Sequence, residues 1–270
     1  MTALIHPIFA ANAAMYAIQN ATTEGKATVL ALLVLSLFSW TIIIKKFHQL
    51  MIARRATRKF LAAYASTRDP LDIKHKGENF EGAPAYELYI RGADELEYQL
   101  KNNPVTVKGE RRISNASFDA VKVVLEEAAG NEAVGLEKSM IVLSTAVAGG
   151  PFIGLLGTVW GVMSTFAGIA ESRAATLTAM APGVAAALVA TVTGLLVAIP
   201  AMFAYNFMVT TIRHLTQELD GFASRFANQI EHVYVDHRPL AEEIRDANEA
   251  LAGRIVGALK NNEAQALVES

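Results

Sequence analysis

The sequence predicts an all-α membrane protein with three transmembrane helices, two of them extended into a cytoplasmic helical bundle. Hydrophobic residues make up 52% of the 270 residues and charged residues only 19%, against roughly 25% charged in a soluble domain. The charges are also unevenly placed, because residues 27–44, 139–170 and 174–212 contain no Asp, Glu, Lys or Arg. Uncharged apolar runs of about 18 or more residues are typical of membrane-spanning helices.

The N-terminal segment, residues 1–26, precedes the first of these runs. It has no basic residue before Lys26 and so lacks the positively charged start of a secretory signal peptide. We assign residues 27–44 to transmembrane helix 1, about 27 Å long. Lys45, Lys46 and further basic residues follow at once, and basic residues beside a span favour the cytoplasm. The N-terminus is therefore predicted to be periplasmic and the C-terminus cytoplasmic.

The two later runs measure roughly 48 and 58 Å as straight helices and exceed a hydrocarbon core of about 30 Å. We assign 139–170 to transmembrane helix 2 with a cytoplasmic extension, 171–177 to a short periplasmic turn and 178–212 to transmembrane helix 3. Segments 45–138 and 213–270 are then cytoplasmic and helical.

Loop residues within the first cytoplasmic segment, at 70–84 and 102–104, separate helices predicted over 85–101 and 113–138. In the tail, one face of a helix over 240–259 is apolar and either packs on its own protein or binds a partner. Its residues are Leu240, Ile244, Leu251, Ile255 and Leu259.

Small residues form a stripe along transmembrane helix 2 and recur in helix 3. Close packing of small residues drives helix association in lipid, so we predict contacts with a neighbouring helix or subunit, or ordinary packing within one chain. Pro182 and Pro200 are predicted to bend helix 3. The predicted packing residues are Gly150, Gly154, Gly157, Gly161, Gly183 and Gly194, with Gly168 continuing a seven-residue spacing.

Polar residues fall on another face of these helices. Ser144, Thr158 and Thr165 are separated by multiples of seven, and Thr191 is in the middle of the third run. Two readings stay open: the threonines line a narrow, weakly polar pore, or each bonds a carbonyl of its own helix. An ionisable side chain such as a carboxylate inside a span is the usual sign of a proton relay. The runs contain no Asp, Glu, Lys, Arg or His, so this chain alone has no evident proton acceptor.

Other function classes have little support. The net charge of −2 argues against a strongly basic nucleic-acid binder. The absence of cysteine excludes thiolate metal sites and cysteine nucleophiles. The six histidines have no metal-ligand spacing. We therefore predict no enzyme, no metal and no cofactor.

Three segments carry a family resemblance. Residues 150–163 (GPFIGLLGTVWGVM) and 181–206 (APGVAAALVATVTGLLVAIPAMFAYN) closely resemble the signature of the TolQ and ExbB proton-channel subunits, and 39–44 (SWTIII) is similar to the end of their first span. The resemblance covers all three spans in order. The three-span topology fits this branch better than the related four-span MotA proteins.

The resemblance implies a subunit of a motor that converts the proton motive force into mechanical work on the cell envelope. It implies a homopentamer in the lipid of the bacterial inner membrane, enclosing single-span TolR-like or ExbD-like helices whose transmembrane Asp carries the proton. A TolA-like or TonB-like protein would receive the motion. Thr158 and Thr191 match the family's pore-facing threonines. Protons are favoured over sodium, because sodium-type stators resemble ThrThr where this chain has Ala190 and Thr191.

One residue departs from the family. Where TolQ and ExbB have a Glu facing the partner, this sequence has Ala186. Either the partner Asp alone handles the proton, or conduction is lost, or sodium replaces the proton. The alternative function is therefore a non-conducting or sodium-coupled membrane scaffold for a single-span partner.

Overall fold

Three long helices dominate the computed structural model, which describes residues 22–107, 110–172 and 176–236 and five isolated residues between 245 and 255. Helix α1 is Thr23–Tyr64, α5 is Met140–Ser172 and α6 is Leu177–Tyr234. The rest of the described chain forms α2 (Asp72–Lys76), α3 (Pro84–Asn102), β1 (Pro104–Val107), β2 (Glu110–Ile113) and α4 (Asn115–Glu137).

The three long helices are each apolar and long enough to cross a membrane. In their most apolar stretches only 17%, 33% and 33% of the residues are buried inside the chain. Soluble monomers rarely expose this much contiguous apolar surface to water, whereas contact with lipid tails leaves it in an apolar environment. The fold is therefore that of an all-α membrane protein with three candidate spans, as the sequence predicts.

The charged extensions belong to α1 and α6. Helix α1 continues for 20 residues beyond the first apolar run, and α6 continues for 22 residues beyond the third. Helix α5 begins at Met140, one residue after the second run begins. The predicted cytoplasmic extension of transmembrane helix 2 therefore has no charged continuation along α5. The apolar runs end at residues 44 and 212. The turns of α1 and α6 beyond these residues are therefore stabilised by helix propensity and by packing outside the membrane.

The extensions of α1 and α6 pack with α3 and α4 into what we call the polar bundle. Its core is aromatic: the rings of Phe60 and Phe222 lie 5.2 Å apart at 81°, and those of Tyr89 and Phe226 lie 5.1 Å apart. All four side chains are fully buried. The first pair is edge-on and the second is tilted at 45°. Aromatic pairs of this kind add to the gain from burial itself, so this core fixes where the two extensions meet.

The ends of the bundle helices follow ordinary capping chemistry. Ser114 accepts a hydrogen bond from the backbone N–H of Ser117 at 3.2 Å and begins α4, and Pro84 occupies the first turn of α3, where its missing N–H costs nothing. The bounds of α3 and α4 lie within two residues of the predicted helices 85–101 and 113–138.

A small antiparallel hairpin was not predicted. Pro104 pairs with Ile113, and Val107 pairs with Glu110, where the sequence indicated only a break after 102–104. Ile113 is fully buried and also pairs with Val235 beyond the end of α6. The hairpin therefore ties the connection between α3 and α4 to α6. Another short element, α2, lies within the predicted loop 70–84.

Several predicted segments lie outside the described residues. These are residues 1–21 of the N-terminal segment, 173–175 of the outer turn and most of the tail. Leu251 and Ile255 of the tail are helical and 55% and 53% exposed. At these two residues the structure does not place the apolar face against the rest of the described chain.

Candidate ion pathway between α5 and α6

Helices α5 and α6 approach each other backbone to backbone. A Cβ atom added to Gly194 would lie 2.6 Å from the carbonyl oxygen of Gly150, and one added to Gly154 would lie 2.9 Å from that of Ala190. Backbone atoms cannot turn aside as the end of a side chain can. The separation of the two helices therefore depends on glycine at these positions.

The remaining predicted packing glycines lie along the same contact. A Cβ on Gly161 would be 2.8 Å from that of Ala187, and one on Gly183 would collide with the hydroxyl of Thr165. Gly157 also meets α1, since its Cβ would lie 2.8 Å from Oγ1 of Thr28. These contacts are all within one chain. Gly168 differs, because nothing lies within 4 Å of its Cβ position.

This close approach sets two hydroxyls against each other. Oγ1 of Thr158 lies 3.1 Å from Oγ1 of Thr191. Thr158 also reaches the carbonyl oxygen of Leu155 on its own helix at 2.7 Å, and Thr191 reaches across to the carbonyl oxygen of Gly154 at 3.3 Å. Both side chains are half-buried. Thr158 thus bonds a carbonyl of its own helix, and the two hydroxyls also form a pair between the helices, while a pore lined by them stays a prediction.

The pair has a definite hydrogen-bonding capacity. Each hydroxyl carries one hydrogen and two lone pairs, and the carbonyls of Leu155 and Gly154 are available to accept the hydrogens. Two oxygens 3.1 Å apart then remain as acceptors. They suit a donor such as a protonated carboxyl group. The hydroxyls themselves do not titrate near neutral pH, so an acid or base must come from elsewhere.

The other predicted pathway residues lie apart from this pair. Ser144 donates to the carbonyl oxygen of Ile141 at 2.9 Å, and Thr165 donates to that of Gly161 at 2.8 Å. Ser144 lines a separate pocket of about 440 Å³ near the polar end of α5. Ala186 is half-buried and lies one position before Ala187. Of the five predicted pathway residues, the structure brings together only Thr158 and Thr191.

The prolines lie inside continuous helices. Helix α6 runs through both Pro182 and Pro200, and α5 runs through Pro151, which sequence reasoning did not single out. Each proline deprives the carbonyl four residues earlier of its helical partner. The signal for Pro151 was available, since a proline inside an uncharged run of this length lies in a helix.

Sequence reasoning also missed Thr28. Its side chain is 5% exposed, donates to the carbonyl oxygen of Gly25 at 2.8 Å and lies against Gly157. It brings α1 into the contact between α5 and α6. A threonine near the start of an apolar run carries no signal for this contact, which depends on how α1 crosses α5.

Comparison with known proteins agrees with this architecture. The profile of the MotA/TolQ/ExbB proton channel family matches residues 96–221. The chain is 31% identical over 210 residues to the Tol-Pal system protein TolQ of Pseudomonas aeruginosa, a match that covers 77% of this chain and 88% of that protein. It is 32% identical over 214 residues to the TolQ of Haemophilus influenzae, covering 77% and 89%.

A third relative is the biopolymer transport protein ExbB of Pseudomonas putida. It is 33% identical over 197 residues, which are 72% of this chain and 56% of that protein. The chain thus spans little more than half the length of this relative. Fold and site define a membrane protein of three spans with a paired-hydroxyl contact between two of them. The chain belongs to the MotA/TolQ/ExbB proton channel family.

Proposed function

We propose that the chain is the channel-forming subunit of a motor in the bacterial inner membrane that converts the proton motive force into mechanical work on the cell envelope, in a Tol-Pal or TonB-type system. Membership of a proton channel family and relatives named for the Tol-Pal system and for biopolymer transport support this. The observation that carries it is the 3.1 Å contact between Thr158 and Thr191 inside two apolar helices.

The proton carrier belongs to a second chain in this proposal. The apolar runs of this chain hold no Asp, Glu, Lys, Arg or His, so a partner helix must bring the carboxyl group. We assign that role to the transmembrane Asp of a TolR-like or ExbD-like single-span subunit. Most of the apolar surface of α1, α5 and α6 is unburied within one chain. This surface supports a homopentamer around the partner helices, with lipid outside.

The hydroxyl pair hydrogen-bonds that carboxyl group as the partner helix moves past it. When protonated, the carboxyl is neutral and donates its O–H to a lone pair of Thr158 or Thr191, which lowers the cost of desolvating it. When it gives the proton to water on the cytoplasmic side, a hydroxyl that rotates away from its carbonyl acceptor donates to the carboxylate instead. Movement of the partner helix past successive subunits then couples proton transfer to rotation, which a TolA-like or TonB-like protein delivers to the envelope.

Protons rather than sodium are the proposed coupling ion. Ala190 is 1% exposed and lies against Gly157, so it adds no oxygen beside Thr191. Two hydroxyl oxygens are few for a dehydrated cation, whereas one suffices for a carboxyl O–H. The proposed orientation, with a periplasmic N-terminus and a cytoplasmic C-terminus, has the support of Lys45, Lys46 and Lys138 at the polar ends of the first two spans.

The test compares two threonines of α6. Thr191→Val keeps the shape and removes the hydroxyl that meets Thr158, whereas Thr193→Val removes one that donates only to the carbonyl oxygen of Val189, at 2.8 Å. With a candidate partner in liposomes, we expect T191V to lower partner-dependent proton uptake about fivefold. This is the change in rate that corresponds to losing one ordinary hydrogen bond of about 1 kcal/mol. T193V should stay near wild type. Equal uptake by all three proteins removes Thr191 from the mechanism.

A second candidate rests on Ala186, which offers the partner no carboxylate. A scaffold that clamps a partner helix without conducting, or a sodium-coupled motor, needs none at this position. An assembled complex that takes up neither protons nor sodium, with a partner span lacking Asp and Glu, would establish the scaffold. Uptake of sodium alone would establish sodium coupling.

A further inference from the structure

Three lysines, two on α1 and one in the turn between α4 and α5, line one pocket at the polar end of the apolar region. Lys45 and Lys46 directly follow the first apolar run, and Lys138 directly precedes the second. All three line a pocket of about 510 Å³, together with Thr41 and Ser139. Basic residues that are 92 positions apart in the chain thus face the same space, just where the uncharged runs stop.

The positive charge of this lysine pocket has no carboxylate partner within the part of the chain that the structure describes. Lys46 is 4% exposed, and its Nζ donates only to neutral acceptors, Oε1 of Gln49 at 3.1 Å and the carbonyl oxygen of Gly135 at 3.5 Å. Burial lowers the pKa of the Lys46 ammonium group, and the positive charges of Lys45 and Lys138 lower it further because they repel it. None of the three lysines forms an ion pair with a carboxylate of the described residues.

A buried ammonium group is costly unless an opposite charge compensates it. The backbone adds to the imbalance here. Lys138 and Ser139 join α4 to α5, and Ser139 has a φ of 73°. Because α5 begins at the next residue, Ser139 brings the partly positive N-terminus of a 33-residue helix to the pocket wall. The carbonyl of Gly135, in the last turn of α4, opposes this in part. The pocket is therefore suited to a bound anion.

The surroundings of the pocket indicate which anion. Leu37 and Ile44 are 71% and 66% exposed, and they lie four residues before and three residues after Thr41, on the same face of α1. An anion that carries apolar chains would therefore find lysines at one end and an uncovered apolar face beside them. We propose that the lysine pocket binds the phosphate group of an anionic phospholipid whose acyl chains lie along Leu37 and Ile44.

A tryptophan next to the pocket provides the test. Trp40 lies five residues before Lys45, about 7.5 Å along the helix, and Trp160 is the other of two tryptophans. The full-length Trp160→Phe variant leaves Trp40 as the reporter. It is reconstituted in mixed vesicles of phosphatidylglycerol and phosphatidylcholine, in which one lipid or the other carries brominated chains at the same mole fraction. The ratio of the two quenching constants measures the lipid preference at Trp40.

We expect phosphatidylglycerol to quench Trp40 more strongly than phosphatidylcholine. In this background Lys45→Gln with Lys138→Gln should reduce the preference roughly thirtyfold, about fivefold for each of the two lysines near an anionic surface. The control is Lys59→Gln with Lys101→Gln, which removes two charges from exposed positions of the polar bundle and should retain it. Lys45→Arg with Lys138→Arg keeps the charge and should also retain it, which separates lost binding from misfolding.

Two results would overturn the proposal. Equal quenching by both lipids in the parent protein, or equal loss in the Lys45/Lys138 and Lys59/Lys101 variants, would leave only a general attraction between a basic protein surface and the vesicle. A last arm replaces chloride by inorganic phosphate at equal ionic strength. An unchanged preference supports the lipid, whereas loss of the phosphatidylglycerol signal would assign the pocket to free phosphate.

Discussion

Replacing Gly194 by alanine tests the close packing of α5 and α6 most severely. The new Cβ would lie 2.6 Å from the carbonyl oxygen of Gly150 and 3.1 Å from Cα of Gly154. Since both neighbours are backbone atoms, reaching the 3.4 Å of ordinary contact requires the helices to separate by about 0.8 Å. A shift of this size would lengthen the 3.1 Å contact between Thr158 and Thr191 to about 3.9 Å, beyond hydrogen-bonding range.

The cost of this shift has two parts. Overpacking a tight contact destabilises by about 1–3 kcal/mol, while replacing glycine by alanine inside a helix stabilises by about 1 kcal/mol. The matched control is Gly168→Ala on α5, where nothing lies within 4 Å of the new Cβ and only the gain applies. We therefore expect the free energy of unfolding of the detergent-solubilised G194A protein to lie about 1–3 kcal/mol below that of G168A.

Flux provides the second measurement on the same pair. With the partner present, G194A should lower proton uptake as T191V does, although it leaves every hydroxyl in place, whereas G168A should conduct like the wild type. If G194A is as stable as G168A and conducts normally, the two backbones do not lie as close as 2.6 Å requires, and the reasoning about the hydroxyl pair fails with it.

Two further predictions concern the polar bundle. Phe60→Ala removes a fully buried ring from the aromatic core and should lower the free energy of chemical unfolding by about 3–5 kcal/mol. The control is Tyr98→Ala, at a side chain that is 57% exposed, which should stay within about 0.5 kcal/mol of wild type. Similar losses in the two variants would show that the core is not where the structure places it. Burial raises the pKa of the Tyr89 phenol to about 12 from 10.0, so its contribution to stability is complete below pH 10 and is lost as the pH rises towards 12. Tyr89→Phe leaves the backbone N–H of Lys74 without its 3.0 Å acceptor and should lower the free energy of unfolding by about 1–2 kcal/mol below pH 10. When unfolding is measured against pH, the difference in free energy between wild type and Y89F should shrink above pH 10. A difference that stays constant with pH would contradict the burial of the phenol.

The three long helices were predictable because lipid leaves the backbone no other way to satisfy its hydrogen bonds. Their ends were not. Nothing in an apolar run tells how far α1 and α6 continue past Ile44 and Ile212, because the extra turns depend on the aromatic core that they build with α3 and α4. The hairpin at 104–113 was missed for the same reason, since its short strands are held by Ile113, which is buried against Val235.

The site was predictable in its residues and not in its geometry. Spacing and family resemblance both selected Thr158 and Thr191, and helical periodicity placed the glycines on one side of α5. The 3.1 Å contact depends instead on the register of α5 against α6, which the backbone contacts of Gly150, Gly154 and Gly194 fix. Periodicity along one helix carries no information about that register, so Ser144 and Thr165 looked equivalent to Thr158 in sequence.

The lysine pocket shows the same limit. Lys45 and Lys46 indicate which side of the membrane the chain reaches, and each lysine by itself is an ordinary flanking residue. Their convergence with Lys138 depends on the turn at Ser139, where the chain leaves α4 and begins α5.

The most direct test of the central claim is proton uptake by the reconstituted complex. The chain is assembled with a candidate single-span partner in liposomes, a membrane potential is imposed, and uptake is compared with that of a complex in which the partner's transmembrane Asp is replaced by Asn. The account predicts potential-driven uptake that the Asp→Asn partner abolishes, which would also show that a Glu at position 186 is dispensable. A demonstrably assembled complex that takes up no more protons than empty liposomes would contradict it.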